Sequence, residues 1–280
     1  MFREIFQNEE VRMDLTAPTT AAQVINLLLP EFPTLATITT STTGTPAVAG
    51  INPSLVKTFY SFKYTTEVGT QEFESLKEVD LKTQEFHSFF DLLFLDSWHT
   101  YEDSLEILEI GMRIAKPNSI ILVHDCLAIS SSLSSTYVPG AWSGVTCFVF
   151  KEFAKTMNRE WFVLDSDHGL GVLGPETRKK LPLIDSVNLE LLKESESESL
   201  KQFYENPRQY MRGIAPSRFQ EAFNQIKSGE SPEHLVSADQ EHFNDSYRIR
   251  ILELENELQL IKNSRTWRAT SLYRRFRRKT

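Results

Sequence analysis

Two short apolar runs, each closing on ionisable residues, organise the middle of the chain. Phe90 to Leu95 is nearly continuous in apolar side chains and ends at Asp96, and Ile120 to Val123 repeats the pattern and ends at His124 and Asp125. Runs this short and this apolar predict strands buried on both faces, as in a parallel sheet. Between them Leu105, Leu108, Met112 and Ala115 recur at helical spacing behind Glu102 and Asp103, acids that suit a helix N-terminus. The unit reads as strand, helix, strand. A right-handed crossover then turns both strand ends toward one crevice, where Asp96, His99, His124 and Asp125 converge. Taken singly, an Asp there caps a turn and a His bonds to backbone. Four such groups on two adjacent strand ends weigh a functional site evenly against that structural reading.

The same pattern divides the rest. Residues 1 to 33 form a lead-in, with an amphipathic helix over Ala21 to Leu29 stopped by Pro30 and Pro33. Leu35 to Thr40 and Ala47 to Ile51 read as strands around a turn with Gly44 and Pro46, and Lys77 to Leu81 as a poorer third. After the central unit a Ser-rich loop, Ile129 to Gly140, has the length of a lid or a disordered connection. Ser143 to Met157 predicts a helix. Trp161 to Leu164 and Leu170 to Leu173 finish the sheet around a hairpin turn of Asp165, Asp167, His168 and Gly169. The sheet domain thus spans 34 to 175. Residues 176 to 245 read as charged helices with little to bury, and ESESES at Glu194 to Ser199 as a solvated face or linker. In the last segment, 246 to 280, Ile251, Leu254, Leu258 and Ile261 keep the 3,4,3 spacing of a coiled-coil seam. Two heptads leave a self-packed amphipathic helix as an equal reading.

Composition narrows the classes. With 280 residues the chain accommodates one α/β domain plus appendages. No apolar run approaches the ~20 residues that cross a bilayer, and the opening MFREIFQNEE lacks the features of a signal peptide, so the expectation is a cytoplasmic protein. Cys126 and Cys147 are too few for a disulfide framework or a zinc site. The net charge of −8 conceals a basic end: Lys262 to Thr280 holds eight Lys or Arg and no acid, leaving 22 basic against 38 acidic residues elsewhere. An acidic body of this kind speaks against nucleic acid as a partner of the main domain.

The strings FDLLFLDSWHTYE, SIILVHDC, PGAWSGVTCFVFKEF and WFVLDSDHGLGVL, in this order and spacing, resemble a class I AdoMet-dependent methyltransferase family, the branch found with bacterial surface-polysaccharide genes. The resemblance covers 34 to 175. It implies a Rossmann-like, seven-stranded, mostly parallel sheet with an antiparallel last strand. It also implies S-adenosyl-L-methionine as cofactor, bound where LATITTSTTGT and AGINP align with the family's first two strand ends. At those ends Thr37 stands where the family has an acid, Thr39 and Thr43 where it has glycines, Gly44 remains, and Asn52 stands for the ribose-binding carboxylate. β-Branched residues resist the positive φ and close approach that glycine permits. The resemblance further implies Asp96 and Asp125 as ligands of a divalent metal such as Mg²⁺, with His124 alongside, and His99 as general base. For His124 and Asp125 a purely structural role, closing the strand by hydrogen bonds, stands as an equal alternative.

The resulting expectation is an O-methyltransferase acting on a sugar or polyol, a small molecule or glycan acceptor, in surface-polysaccharide biosynthesis. The alternative is an inactive methyltransferase-fold scaffold or regulatory partner in a polysaccharide assembly complex. A hydroxylase on the same fold ranks third. The terminal SRTWRATSLYRRFRR resembles tails that follow coiled coils in polysaccharide glycosyltransferases. Trp267, Leu272, Tyr273 and Phe276 among its basic residues fit peripheral contact with the anionic inner face of the membrane, a disordered solubilising tail being the other reading, and the heptad seam suggests a homodimer through the C-terminal helix.

Overall fold

The computed structural model describes residues 17–40, 48–65, 75–127, 133–137, 142–166, 168–177 and 186–236. The coiled-coil seam, the basic tail, Thr43, Gly44 and most of the Ser-rich loop lie outside these residues.

Seven strands form one sheet: β1 (Thr34–Thr40), β2 (Thr58–Tyr64), β3 (Phe90–Asp96), β4 (Ala115–Val123), β5 (Arg159–Leu164), β6 (Leu170–Glu176) and β7 (Gly213–Ile214). Their order is β2-β1-β3-β4-β6-β5-β7. β2, β1, β3 and β4 are parallel, β6 runs antiparallel to both β4 and β5, and β7 adds two residues parallel to β5. The expected architecture is present, with the reversed strand inserted between β4 and β5. That insertion brings the start of β6 beside the end of β4.

Helices cover both faces because the strands alternate two apolar sets. Leu93 and Leu95 of β3 face a cluster with Val79 of α2 (Leu76–Thr83), Ile107 of α3 (Tyr101–Ile114) and Val149 of α4 (Thr146–Thr156). Leu92 and Phe94 face the opposite cluster, with Val24 and Ile25 of α1 (Ala21–Leu28). The helix starts are set locally. Thr20 caps α1, Thr100 caps α3 over its Glu102 and Asp103, and Ser75 with Glu78 forms a capping box on α2.

Two expected strands are replaced. Lys77 to Leu81 lies in α2, and its S-x-x-E start was the overlooked signal. The described residues of the second, 48–51, form no strand: 48–50 is a helical turn, followed by a 3-10 turn at Pro53–Leu55. The second strand is instead β2, whose aromatic but half-exposed pattern belongs to a sheet edge, with Phe59 and Tyr60 reaching solvent.

The charged region after 176 also differs from its reading. α5 (Leu189–Glu194), α6 (Glu196–Glu205), α7 (Pro207–Met211) and α8 (Phe219–Ser228) bury Leu192, Phe203, Met211, Phe219, Phe223 and Ile226 against the sheet domain. Within ESESES, Glu196 accepts hydrogen bonds from the Tyr101 hydroxyl at 3.1 Å and from Ser135 at 3.2 Å. Leu191 and Tyr204 stay exposed, but the other large apolar residues gather on one face, so low average hydropathy hid a packed face. Among the described residues no helix is long and apolar enough to cross a membrane.

Candidate active site

Parallel register puts the ends of β1, β3 and β4 at one edge of the sheet, and Asp96, His99, His124 and Asp125 meet there, each at most 9 % exposed. His99 Nε2 lies 3.0 Å from Asp125 Oδ2 and 3.5 Å from Asp96 Oδ1. His124 Nδ1 lies 3.0 Å from Asp125 Oδ2 and 3.7 Å from Asp96 Oδ1. Asp96 Oδ2 is buried with no hydrogen-bond partner among the described residues.

The state of His99 follows from its partners. Its Nδ1 is 2.9 Å from the Trp142 carbonyl, which can only accept, so Nδ1 carries a proton. Nε2 faces carboxylate oxygen and is held protonated as well. Burial alone would lower the pKa of this imidazole, but the hydrogen bonds and charges of Asp125 and Asp96 outweigh it and raise the value to about 10. Reciprocally, burial would raise the Asp125 carboxyl, yet the hydrogen bonds of His124 and His99 carry it well below the carboxylate range.

Loop geometry fixes these groups. Asp125 has φ of 59°, a left-handed conformation uncommon outside glycine. It is held there because the next two amides donate across to the β5–β6 turn, Cys126 N–H to Gly169 O at 2.8 Å and Leu127 N–H to His168 O at 2.9 Å. The His168 ring stands 6.3 Å from that of His124. His99 is held by the Trp142 to Val145 segment: Val145 N–H donates to the His99 carbonyl at 2.9 Å. Gly144, at φ 54°, packs so closely that an added Cβ would lie 2.0 Å from that carbonyl oxygen. Trp142, Gly144 and His168 were not legible as site residues, although WSG stood in the strings that carried the resemblance.

The expected cofactor residues are scattered. Thr37 lies inside β1, its hydroxyl 3.1 Å from Ser61 of β2. Thr39 pairs in register with Asp96, and its buried Oγ1 has no partner among the described residues, so it belongs to the crevice. Asn52 does not. It caps the 3-10 turn that precedes β2, accepting from Ser54 N–H at 3.0 Å, and so sits at the opposite sheet edge from Asp96. Mistaking 47–51 for a strand placed Asn52 at the wrong end. The true end of β2 is Tyr64, fully buried, whose hydroxyl accepts the Trp98 N–H at 2.8 Å. Because β1 lies between β2 and β3, this bond bridges the end of β1. Tyr64→Phe leaves the Trp98 amide unsatisfied, and chemical denaturation should show a loss of about 1–3 kcal/mol.

Residues 55–126 match the family model of a methyltransferase domain. With the sheet described above, the fold is the Rossmann-like fold of class I methyltransferases. No curated protein matches the chain. Similar solved structures include a protein of Corynebacterium glutamicum, 10% identical, covering 59% of this chain and 86% of its own, with a TM-score of 0.38. Another is the MycE methyltransferase of the mycinamycin biosynthetic pathway in complex with Mg, SAH and mycinamycin VI, 13% identical, covering 58% and 50%, TM-score 0.34. This chain therefore spans half the length of MycE. A third is the type I restriction-modification methyltransferase subunit of Streptococcus thermophilus, 10% identical, covering 65% and 51%, TM-score 0.30.

Proposed function

We propose that the chain is an AdoMet-dependent O-methyltransferase acting on a hydroxyl of a sugar or polyol in surface-polysaccharide assembly. One observation carries the reading: a buried imidazole, oriented by a backbone carbonyl through Nδ1, directs Nε2 at two carboxylates on adjacent strand ends. The matched methyltransferase domain supports the cofactor, and the orphaned Thr39 hydroxyl gives the crevice a polar group for it. The rings of Trp98, Tyr137 and Trp142, with centroids 5.2–5.4 Å apart beside His99, support an acceptor with an apolar ring face, as a pyranose has.

In this mechanism Asp96 and Asp125, with His124, hold a divalent ion. With Asp96 and Asp125 engaged by such an ion, His99 Nε2 would be free to act as a base. The donor set fits: two carboxylates and one imidazole present ligand atoms within 4.8 Å of one another, and Asp96 Oδ2 is unsatisfied without an ion. When bound, the ion would lower the pKa of an acceptor hydroxyl and AdoMet would supply the methyl group, the acceptor oxygen bonding to the methyl carbon as the carbon's bond to sulfur breaks. His99 Nε2 takes the hydroxyl proton. Trp142 O keeps the ring oriented throughout, and the closed packing of Trp142 and Gly144 over His99 keeps bulk water from competing.

Calorimetry with AdoMet and with its demethylated product tests the reading. A dissociation constant in the micromolar range or tighter is expected. Absence of binding would favour the non-catalytic scaffold, a reading motivated by Thr39 and Thr43 at glycine positions and by Tyr64 bridging the end of β1.

A further inference from the structure

The identity of the ion is open in the proposed mechanism, and the donor atoms discriminate. We infer that this centre selects a first-row transition ion, bound through the His124 imidazole, over Mg²⁺, with Mn²⁺ as the probe of that choice. The inference rests on the metal reading above and concerns only which ion is preferred.

Three features of the residues support it. First, the site is built for a ligand, since Asp96 is 1 % exposed and its Oδ2 lacks any partner among the described residues. Second, the donors are mixed. Mg²⁺ prefers near-octahedral oxygen and keeps several of its waters, whereas Mn²⁺, Co²⁺ and Zn²⁺ accept imidazole readily and bind more tightly along that series. His124 Nδ1 points at both carboxylates, 3.0 Å from Asp125 and 3.7 Å from Asp96, so an ion bridging them meets a ring nitrogen as its third ligand. Ligand atoms of one such ion lie at most about 4.4 Å apart, from bonds of roughly 2.0–2.2 Å, and the present spread of up to 4.8 Å needs only small rotations to close. Third, the backbone makes His124 hard to avoid. The left-handed turn at Asp125 brings two successive side chains to the same point, and the paired amides of Cys126 and Leu127 hold that turn. His99 stays outside the sphere because Trp142 O holds its Nδ1 and Nε2 serves the acceptor.

The test uses the full chain and the metals alone. Calorimetric titration of Mn²⁺ and Mg²⁺ should give an affinity for Mn²⁺ roughly tenfold or more above that for Mg²⁺. Pulsed EPR of the Mn²⁺-loaded protein should show nitrogen modulation that changes when histidine is labelled with ¹⁵N and that persists in His99→Gln. His124→Asp should lose the modulation and narrow the Mn²⁺ to Mg²⁺ ratio. The spectroscopy on the wild-type chain decides even where that variant does not fold. Equal affinities without nitrogen coupling, or coupling abolished by His99→Gln, overturn the inference and leave the metal reading standing. Failure of every ion to bind overturns both.

Discussion

His99→Ala is expected to reduce methyl transfer by about 10²–10⁴-fold with the fold intact, the usual loss when a positioned base is removed from a proton-transfer step. The side chain it removes is almost fully buried but packs at the sheet edge, so near-native circular dichroism separates lost chemistry from lost structure. The pH behaviour distinguishes a base from a spacer. Without an ion the imidazole is held protonated to about 10 by Asp125 and Asp96, against an ordinary value of 6.5. Its folded pKa is raised, so the ion pair's contribution to stability is full below pH 6.5 and is lost as pH rises through about 10. The stability of metal-free wild type to denaturant should therefore fall across that window, and His99→Ala should flatten the slope there. Loaded with metal, the wild type should gain activity at a lower pH than the ion-free state of His99 allows. A rate that His99→Ala leaves unchanged removes the base from the mechanism.

Gly144→Ala is the second large effect, and it acts through shape. An added methyl would stand 2.0 Å from the His99 carbonyl oxygen and 2.3 Å from its Cβ, in a backbone conformation of φ 54° that alanine already resists. Crowding and conformational strain together should cost about 3 kcal/mol, read as a shift in the denaturation midpoint. Gly50→Ala is the matched control. Its φ is 98°, but the nearest atom to a new Cβ is Ala22 Cβ at 3.7 Å, so only the conformational part, about 1 kcal/mol, should appear. Activity should fall with Gly144→Ala and hold with Gly50→Ala, since the former moves His99 and the latter lies outside the site.

The strands that bear the site were legible because they are buried on both faces. An apolar run flanked by an acid leaves little choice of element, and Phe90 to Leu95 and Ile120 to Val123 fell where the pattern put them, parallel and adjacent. The convergence of Asp96, His99, His124 and Asp125 followed from the parallel pairing of β3 and β4. What failed lies at the sheet edge. β2 carries Thr58, Tyr60, Ser61 and Lys63 in a half-exposed row, a mixture that periodicity does not separate from a loop. Losing it shifted the second strand to Ala47–Ile51 and carried Asn52 to the wrong end of the sheet. The orienting partners of His99 were hidden for another reason. A carbonyl from Trp142 has no side-chain signature, and Gly144 shows its purpose only when the atom it would collide with is known.

The insertion of β6 between β4 and β5 has a consequence in time as well as space. The segment from 55 to 126 contains every ionisable group of the proposed centre, yet it lacks the parts that hold them: Trp142 and Gly144 for His99, His168 and Gly169 for the turn at Asp125. Those parts emerge from a ribosome about 20 to 45 residues later, roughly 1–9 s at ordinary rates of synthesis. Until they arrive, two carboxylates and two imidazoles share a strand edge with no fixed backbone, and non-local pairing of this kind forms late. A nascent chain ending near residue 126 should therefore carry the composition of the centre without its geometry, and capacity to bind an ion should switch on only once the β5–β6 turn has docked.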